Sequence, residues 1–313
     1  MPRVLVTRPV PQAGLEVLFP AVEVVLSERP LSPAEIARRG EGCAGILCQL
    51  TDRIGEAILS LPGLRILATM SAGTDHIDLP SARRLGVTVT HTPGVLAEAT
   101  AELTWGLILA ASRRIGEGER FLRAGRFQGW DPMLLTGPSV AGKTLGILGA
   151  GRIGQEVVRM ARGFRMTALY VSREAKPAFE QETGARRVTL EELAAGADVI
   201  SIHTPLTPDT RHLVNAAFLA RMKPTAVLVN TSRGAVVHEE ALVAALRDRK
   251  IAAAGLDVFE EEPVVHPGLL ELENVVLLPH IGSATTETRS RMAVLAAESI
   301  LDVLAGRTPR HPV

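Results

Sequence analysis

The sequence predicts an α/β protein of two domains, each built on a parallel sheet with helical crossovers. Three observations carry this. Short β-branched or Leu-rich runs alternate with amphipathic stretches along almost the whole chain, the pattern of strands joined by crossover helices. The alternation comes in two series, separated by a long apolar helical pattern and a Gly- and Pro-rich passage. A length of 313 residues is too great for one ordinary core and suits two.

In the first series, strands are expected at 3–7, 22–26, 44–48, 65–69 and 87–90, with helices at 11–18, 33–40, 53–60 and 78–85. After Pro93-Gly94 an apolar-rich helical pattern covers 96–118. It carries more hydrophobic surface than one buried face needs, which points to a symmetric homodimer through it. An irregular passage follows, with Gly125, Gly129, Trp130, Pro132, Gly137 and Pro138. The second series places strands at 144–149, 167–171, 198–202, 226–230, 252–256 and 275–278, six in all, on the doubly wound plan of a dinucleotide-binding domain. A last helical pattern at 286–305 lies beyond the final strand and is expected to return to the first domain. The expected division is therefore 1–97 with 286–313, and 98–285.

Lys plus Arg and Asp plus Glu are equal at 34 each, so no net field marks the chain for nucleic acid or an anionic membrane. Apolar residues make up 46% of the chain, yet no run reaches the roughly 18 residues needed to span a bilayer. Met1 to Thr7 read as a strand rather than as the apolar core of a signal peptide, so a cytoplasmic setting is expected. Cys43 and Cys48 fit neither a disulfide framework nor a zinc site and read as buried thiols.

The most informative local motif is Gly149-Ala150-Gly151-Arg152-Ile153-Gly154, which follows the strand 144–148 and leads into a helix expected from Gln155 to Arg162. Glycines there let the chain turn sharply, approach a pyrophosphate and pack helix on strand. The helix N-terminus then offers free N–H groups and the positive end of its dipole to an anion. A tight turn with no ligand is the alternative. The end of the second strand separates the cofactors, since an acid there takes a ribose 2′-OH and cations take a 2′-phosphate. Val171 stands where the acid is expected, while Ser172, Arg173 and Lys176 offer donors to a phosphate. NADPH is therefore favoured over NADH. Glu174 is the competing residue, reaching the ribose if the register shifts slightly.

Hydride transfer to a ketone leaves negative charge on oxygen, so a proton donor must stand beside it and a cation must hold an acidic substrate. Three segments beyond expected strands supply these groups: Asn230-Thr231-Ser232-Arg233-Gly234, Asp257 to Pro263 with Glu262, and Pro279-His280-Ile281-Gly282. Taken singly, the Arg reads as a surface cation, the Glu as a solvated acid and the His as a turn cap. Their common place after parallel strands gives the set its meaning.

Together with His203 to Thr207, Thr210 to Leu213, Ala254 to Phe259, Ser71 to Asp78 and Thr92-Pro93-Gly94, these segments resemble the D-isomer-specific 2-hydroxyacid dehydrogenase family, nearest its glyoxylate and hydroxypyruvate reductases. The resemblance implies a Rossmann dinucleotide-binding domain and a discontinuous, flavodoxin-like substrate domain. It implies that His280 exchanges a proton with the substrate oxygen, that Glu262 orients the imidazole and favours its charged form, and that Arg233 grips a small 2-keto acid. By the same resemblance the amides of Ala72 and Gly73 hold the carboxylate, Asp257 meets the nicotinamide carboxamide, and Thr100, Pro205, Thr210, Thr231 and Gly282 line the cofactor. Leu50 matches a position at the substrate's variable end, with loop anchoring as its other reading. Trp130 resembles a tryptophan that closes the pocket from a partner subunit, with core packing as its other reading. The expected activity is NADPH-dependent reduction of glyoxylate and hydroxypyruvate, with domains closing about hinges near 93–98 and 284–288. The competing readings are a D-lactate or 3-phosphoglycerate type of dehydrogenase and a non-catalytic nucleotide sensor.

Overall fold

The first series of apolar runs becomes a five-stranded parallel sheet in the computed structural model, which describes residues 1–313. Its strands are β1 (Arg3–Val6), β2 (Glu23–Leu26), β3 (Gly45–Cys48), β4 (Ile66–Thr69) and β5 (Thr88–Thr90), in the order β2-β1-β3-β4-β5. The strands β3 and β4 are buried along their whole length, as strands covered on both faces must be. Local chemistry sets the crossover helices. Pro33–Gly40 starts where Ser32 and Glu35 form a reciprocal capping box with Pro33 in the first turn. Leu79–Leu85 starts on the Asp78 side chain and stops at Gly86, which has the left-handed φ of 71° that a helix terminus of this kind requires.

This unit comprises Met1–Leu96 and Ser283–Val313. Its last helix, Thr286–Leu304, packs on Gln12–Leu18, and at their crossing a Cβ on Gly14 would come within 2.7 Å of Ala293 Cβ. Cys43 and Cys48 are both buried and unbridged, and burial pushes both thiols up.

The second unit, Ala97–Gly282, holds seven parallel strands rather than the six expected. They are β6 (Thr144–Leu148), β7 (Thr167–Val171), β8 (Arg186–Arg187), β9 (Val199–Ile202), β10 (Val227–Asn230), β11 (Ala253–Leu256) and β12 (Val275–Leu277), in the order β12-β11-β10-β9-β6-β7-β8. The extra strand β8 is two exposed arginines on the sheet edge, with no apolar alternation to betray it.

The long apolar helix is also corrected. It breaks into Ala97–Ser112 and Ile115–Arg123 at Arg114, whose left-handed φ of 53° ends one helix and whose guanidinium grips Glu117 in the next. The first piece places most of its apolar side chains inside its own unit, burying Trp105, Leu107 and Ile108 beneath the sheet. Further on, Ile115, Leu122, Phe127, Trp130 and Met133 are exposed. Trp130 is 84% exposed, which rules out core packing as its reading. No helix is long and apolar enough to cross a membrane.

Candidate active site

Adjacent strands bring the three candidate segments together. In the second unit β10, β11 and β12 are neighbours, so the loops leaving their carboxyl ends, which carry Arg233, Glu262 and His280, share one edge of the sheet. His280 Nδ1 lies 2.8 Å from Glu262 Oε2, with each side chain 25% exposed. The other oxygen of Glu262 accepts the Phe259 amide at 3.0 Å. Burial alone would raise the Glu262 carboxyl; the hydrogen bond and charge of His280, the Phe259 amide and the charge of Arg233 outweigh it and hold the group below the usual carboxylate range.

Each loop is pinned by its own polar contacts. Asn230 receives the Ser232 amide at 3.0 Å and donates to the Arg233 carbonyl at 2.9 Å. Gly234 follows because a Cβ there would collide with the Phe259 carbonyl: the loop bearing Arg233 crosses directly over the loop bearing Glu262. Glu260 is bound by His212 and accepts the Glu239 amide at 3.2 Å, while its own amide donates to Glu239 at 2.7 Å, which steadies the stretch leading to Glu262.

His280 takes a left-handed backbone with φ of 56°, a conformation that disfavours residues with a Cβ. The buried Asp257 maintains it, accepting the amides of Ile281 and Gly282 at 2.7 Å each. Asp257, expected to meet a carboxamide, is therefore first the clamp of the histidine loop. Burial raises its carboxyl above the ordinary value. Thr100 and Gly282 are close neighbours, and Thr104 ties this region to the β10 loop by hydrogen bonds to the Thr100 carbonyl at 2.7 Å and Thr231 Oγ1 at 2.9 Å.

At the other end of the sheet edge, the helix after the glycine turn begins at Arg152, three residues earlier than expected, because Gly151 is already its cap. The three glycines differ. Gly149, at φ of 99°, would bring a Cβ within 2.7 Å of the His203 carbonyl carbon, and Gly154 would meet the Gly149 carbonyl, so both answer to the fold. A Cβ on Gly151 meets nothing within 4 Å. That open space beside the amides of Gly151, Arg152 and Ile153 fits a pyrophosphate. Further along the edge, Thr210 Oγ1 donates to the Pro205 carbonyl at 2.6 Å and closes the loop after β9.

The turn after β7 is held by Tyr170, whose hydroxyl accepts the Lys176 amide at 2.8 Å. Ser172 Oγ donates to the Glu174 carbonyl. Glu174 itself is 84% exposed and 3.9 Å from Lys176 Nζ. Sequence reasoning missed Arg187, which reaches from β8 to donate to the carbonyls of Ser172 at 3.0 Å and Arg173 at 2.7 Å. Nothing in a polar Arg-Arg pair signals that placement.

In the first unit, Ala72 and Gly73 lie half-buried on the loop after β4, and the amides of Ala72, Gly73 and Thr74 have no acceptor within the chain. Free amides on one such loop suit an anion. Leu50 is half-buried on the turn after β3. A cavity of about 300 Å³ lies at the opposite, amino-terminal edge of the second unit's sheet, and none of the candidate residues lines it.

A sheet edge with room for a pyrophosphate at one end and a braced His–Glu pair at the other defines a class, the nicotinamide-dependent dehydrogenases. Comparison with known proteins narrows it. Residues 105–282 match the family described as "D-isomer specific 2-hydroxyacid dehydrogenase, NAD binding domain". The chain is 49% identical over its whole length to a glyoxylate reductase of Aeropyrum pernix, of which it covers 96%. Among solved structures, it superposes on a Thermus thermophilus protein with a TM-score of 0.94 at 46% identity, covering 99% of each chain. It superposes on an NADPH-dependent glyoxylate/hydroxypyruvate reductase from Sinorhizobium meliloti, solved with NADP and malonate, with a TM-score of 0.89 at 34% identity, covering 100% of this chain and 96% of that one. The chain belongs to the D-isomer-specific 2-hydroxyacid dehydrogenase family and is an NAD(P)-dependent enzyme.

Proposed function

We propose that the protein reduces glyoxylate and hydroxypyruvate to glycolate and D-glycerate with NADPH. The observation that carries this reading is the 2.8 Å His280–Glu262 pair, one strand away from Arg233 on the same sheet edge. The glyoxylate reductase of Aeropyrum pernix and the Sinorhizobium meliloti reductase support the choice of substrate and cofactor.

Gly151, Arg152 and Ile153 would hold the pyrophosphate with their amides, on the turn that Gly149 and Gly154 allow; Ser172, Arg173 and Lys176 would hold the 2′-phosphate. Thr100, Pro205, Thr210, Thr231, Asp257 and Gly282 line the rest of the dinucleotide. When bound, the reduced nicotinamide supplies the hydride. Arg233 takes the substrate carboxylate and keto oxygen with its two-pronged guanidinium, and the Ala72 and Gly73 amides take the carboxylate. His280 donates a proton from Nε2 to the carbonyl oxygen as negative charge grows there, and takes it back in the oxidative direction. Glu262 accepts from Nδ1, which fixes the ring and stabilises its positive charge. Leu50 bounds the substrate's variable end, and Trp130 closes the pocket of the partner subunit. The protein acts as a symmetric homodimer, through the exposed apolar surface of 115–134 rather than the buried helix before it.

The test is a steady-state screen of keto acids against both cofactors. NADPH should give the lower KM, and a preference for NADH would overturn that part. His280→Ala should lower kcat by about 10² to 10⁴ while NADPH binding, followed by fluorescence, persists. Turnover equal to wild type would remove His280 from the role.

A further inference from the structure

We infer that His91 is the positioning residue that aims the free amides of the 72–74 loop at the substrate carboxylate. This rests on the reading above that those amides take the carboxylate. The strands β4 and β5 are parallel neighbours, so the loops leaving their carboxyl ends run side by side. His91, the first residue after β5, places Nδ1 2.8 Å from the Ala72 carbonyl oxygen. A carbonyl can only accept, so Nδ1 carries the proton in this contact.

The direction of the contact is what matters. The peptide joining Ala72 to Gly73 is trans, and in a planar trans peptide the C=O and the following N–H point to opposite sides. Holding the Ala72 carbonyl toward His91 therefore turns the Gly73 N–H the other way. Ser71 repeats the device one peptide later: its Oγ donates to the Gly73 carbonyl at 2.7 Å, which fixes the Thr74 N–H by the same geometry. Neither brace is loose. Ser71 is 4% exposed, its carbonyl accepts the Thr92 amide at 2.8 Å, and its hydroxyl meets Thr69 Oγ1 at 2.8 Å. The His91 backbone is tied to the C-terminal tail: its amide donates to the His311 carbonyl at 3.2 Å, Thr90 bridges to Pro312, and the Val313 amide donates to Val89 at 2.9 Å. The imidazole thus stands on a strand end held from both sides, where it can define a peptide plane rather than follow it.

The experiment compares His91→Leu, which removes the donor, with His91→Asn, whose side-chain amide restores an N–H near the place of Nδ1. His91→Leu should raise KM for glyoxylate about tenfold, with kcat and the KM for the nicotinamide cofactor held within about twofold. His91→Asn should return KM toward the wild-type value. An unchanged KM in His91→Leu, or an equal rise in both variants, overturns the proposal; the second result makes His91 a packing residue. The underlying reading is checked separately by the wild-type ratio of kcat/KM for glyoxylate over its uncharged amide. A ratio near unity sinks carboxylate recognition itself, whereas a large ratio with an indifferent His91→Leu sinks the brace alone.

Discussion

In both units the first strand of the series, β1 or β6, lies beside a strand reached by a crossover in the opposite sense, β3 or β9, and open parallel sheets bind ligands at the carboxyl ends beside such a reversal. In the first unit that position is filled from within. Asp52, 2% exposed, leaves the loop after β3 and accepts from Thr7 Oγ1 at 2.6 Å, Arg8 Nη2 at 2.9 Å and the Gln49 amide at 2.8 Å, so three donors converge on one carboxylate just past β1. In the second unit the same position is stripped to glycine, and the cap of the following helix faces open space. The two sheets share a topology, yet the residues after the first strand decide whether the reversal becomes a plug or a site. In the first unit the free amides lie instead on the loop after β4.

Gly151→Asp is the sharpest way to break this contrast. The backbone at 151, with φ of −78° and ψ of −169°, accepts any residue, and Asp is a favoured helix cap, so the fold should keep or gain stability. A carboxylate beside a pyrophosphate should nonetheless weaken dinucleotide binding by about 100-fold or more. Unchanged affinity by fluorescence titration would make the glycine turn a structural feature with no ligand. The reciprocal change, Asp52→Ala, should leave the cofactor KM alone and lower stability by about 2–4 kcal/mol in urea melts, because Arg8, Thr7 and the Gln49 amide lose a buried partner. A loss under about 0.5 kcal/mol would show that the plug is solvated and contributes little.

The contrast also separates what the chain discloses from what it conceals. Features written in consecutive residues are legible: the amphipathic pattern at 33–40 marks a helix, and the apolar runs at 44–48 and 65–69 mark strands. The segments carrying Arg233, Glu262 and His280 stood out because each follows such a run. Features made by distant residues are not. The Asp52 plug joins residues more than forty positions apart, and β8 is a pair of arginines that becomes a strand only by lying against Leu169 and Tyr170. The helix after residue 96 reads as one element because its apolar content continues past Arg114; the break is a backbone turn that composition does not register. Asp257 reads from the sequence as a ligand contact; its clamp on the left-handed turn at His280 depends on the adjacency of β11 and β12, which the sequence does not state.

The smallest expected effect comes from the histidine beside the open reversal. His203 follows β9, backs onto Gly149, and bonds Ser201 Oγ through Nε2 at 2.8 Å, while its Nδ1 is buried without a partner. Burial pushes the imidazole down to about 3, so it stays neutral in the folded chain through the mildly acidic range. The unfolded chain takes up a proton near the ordinary value of about 6.5. The folded value is the lower one, so this contribution to stability is complete above the unfolded value and is lost progressively as pH falls toward the folded one. Between pH 7 and 5 the loss should be about 1–2 kcal/mol. His203→Asn, which cannot titrate yet can still meet Ser201, should show a shallower decline in melting temperature over that interval than wild type. Parallel declines in the two proteins would mean that the ring titrates as freely in the folded state as in the unfolded one, and that the space beside the glycine turn is wetter than the packing around His203 implies.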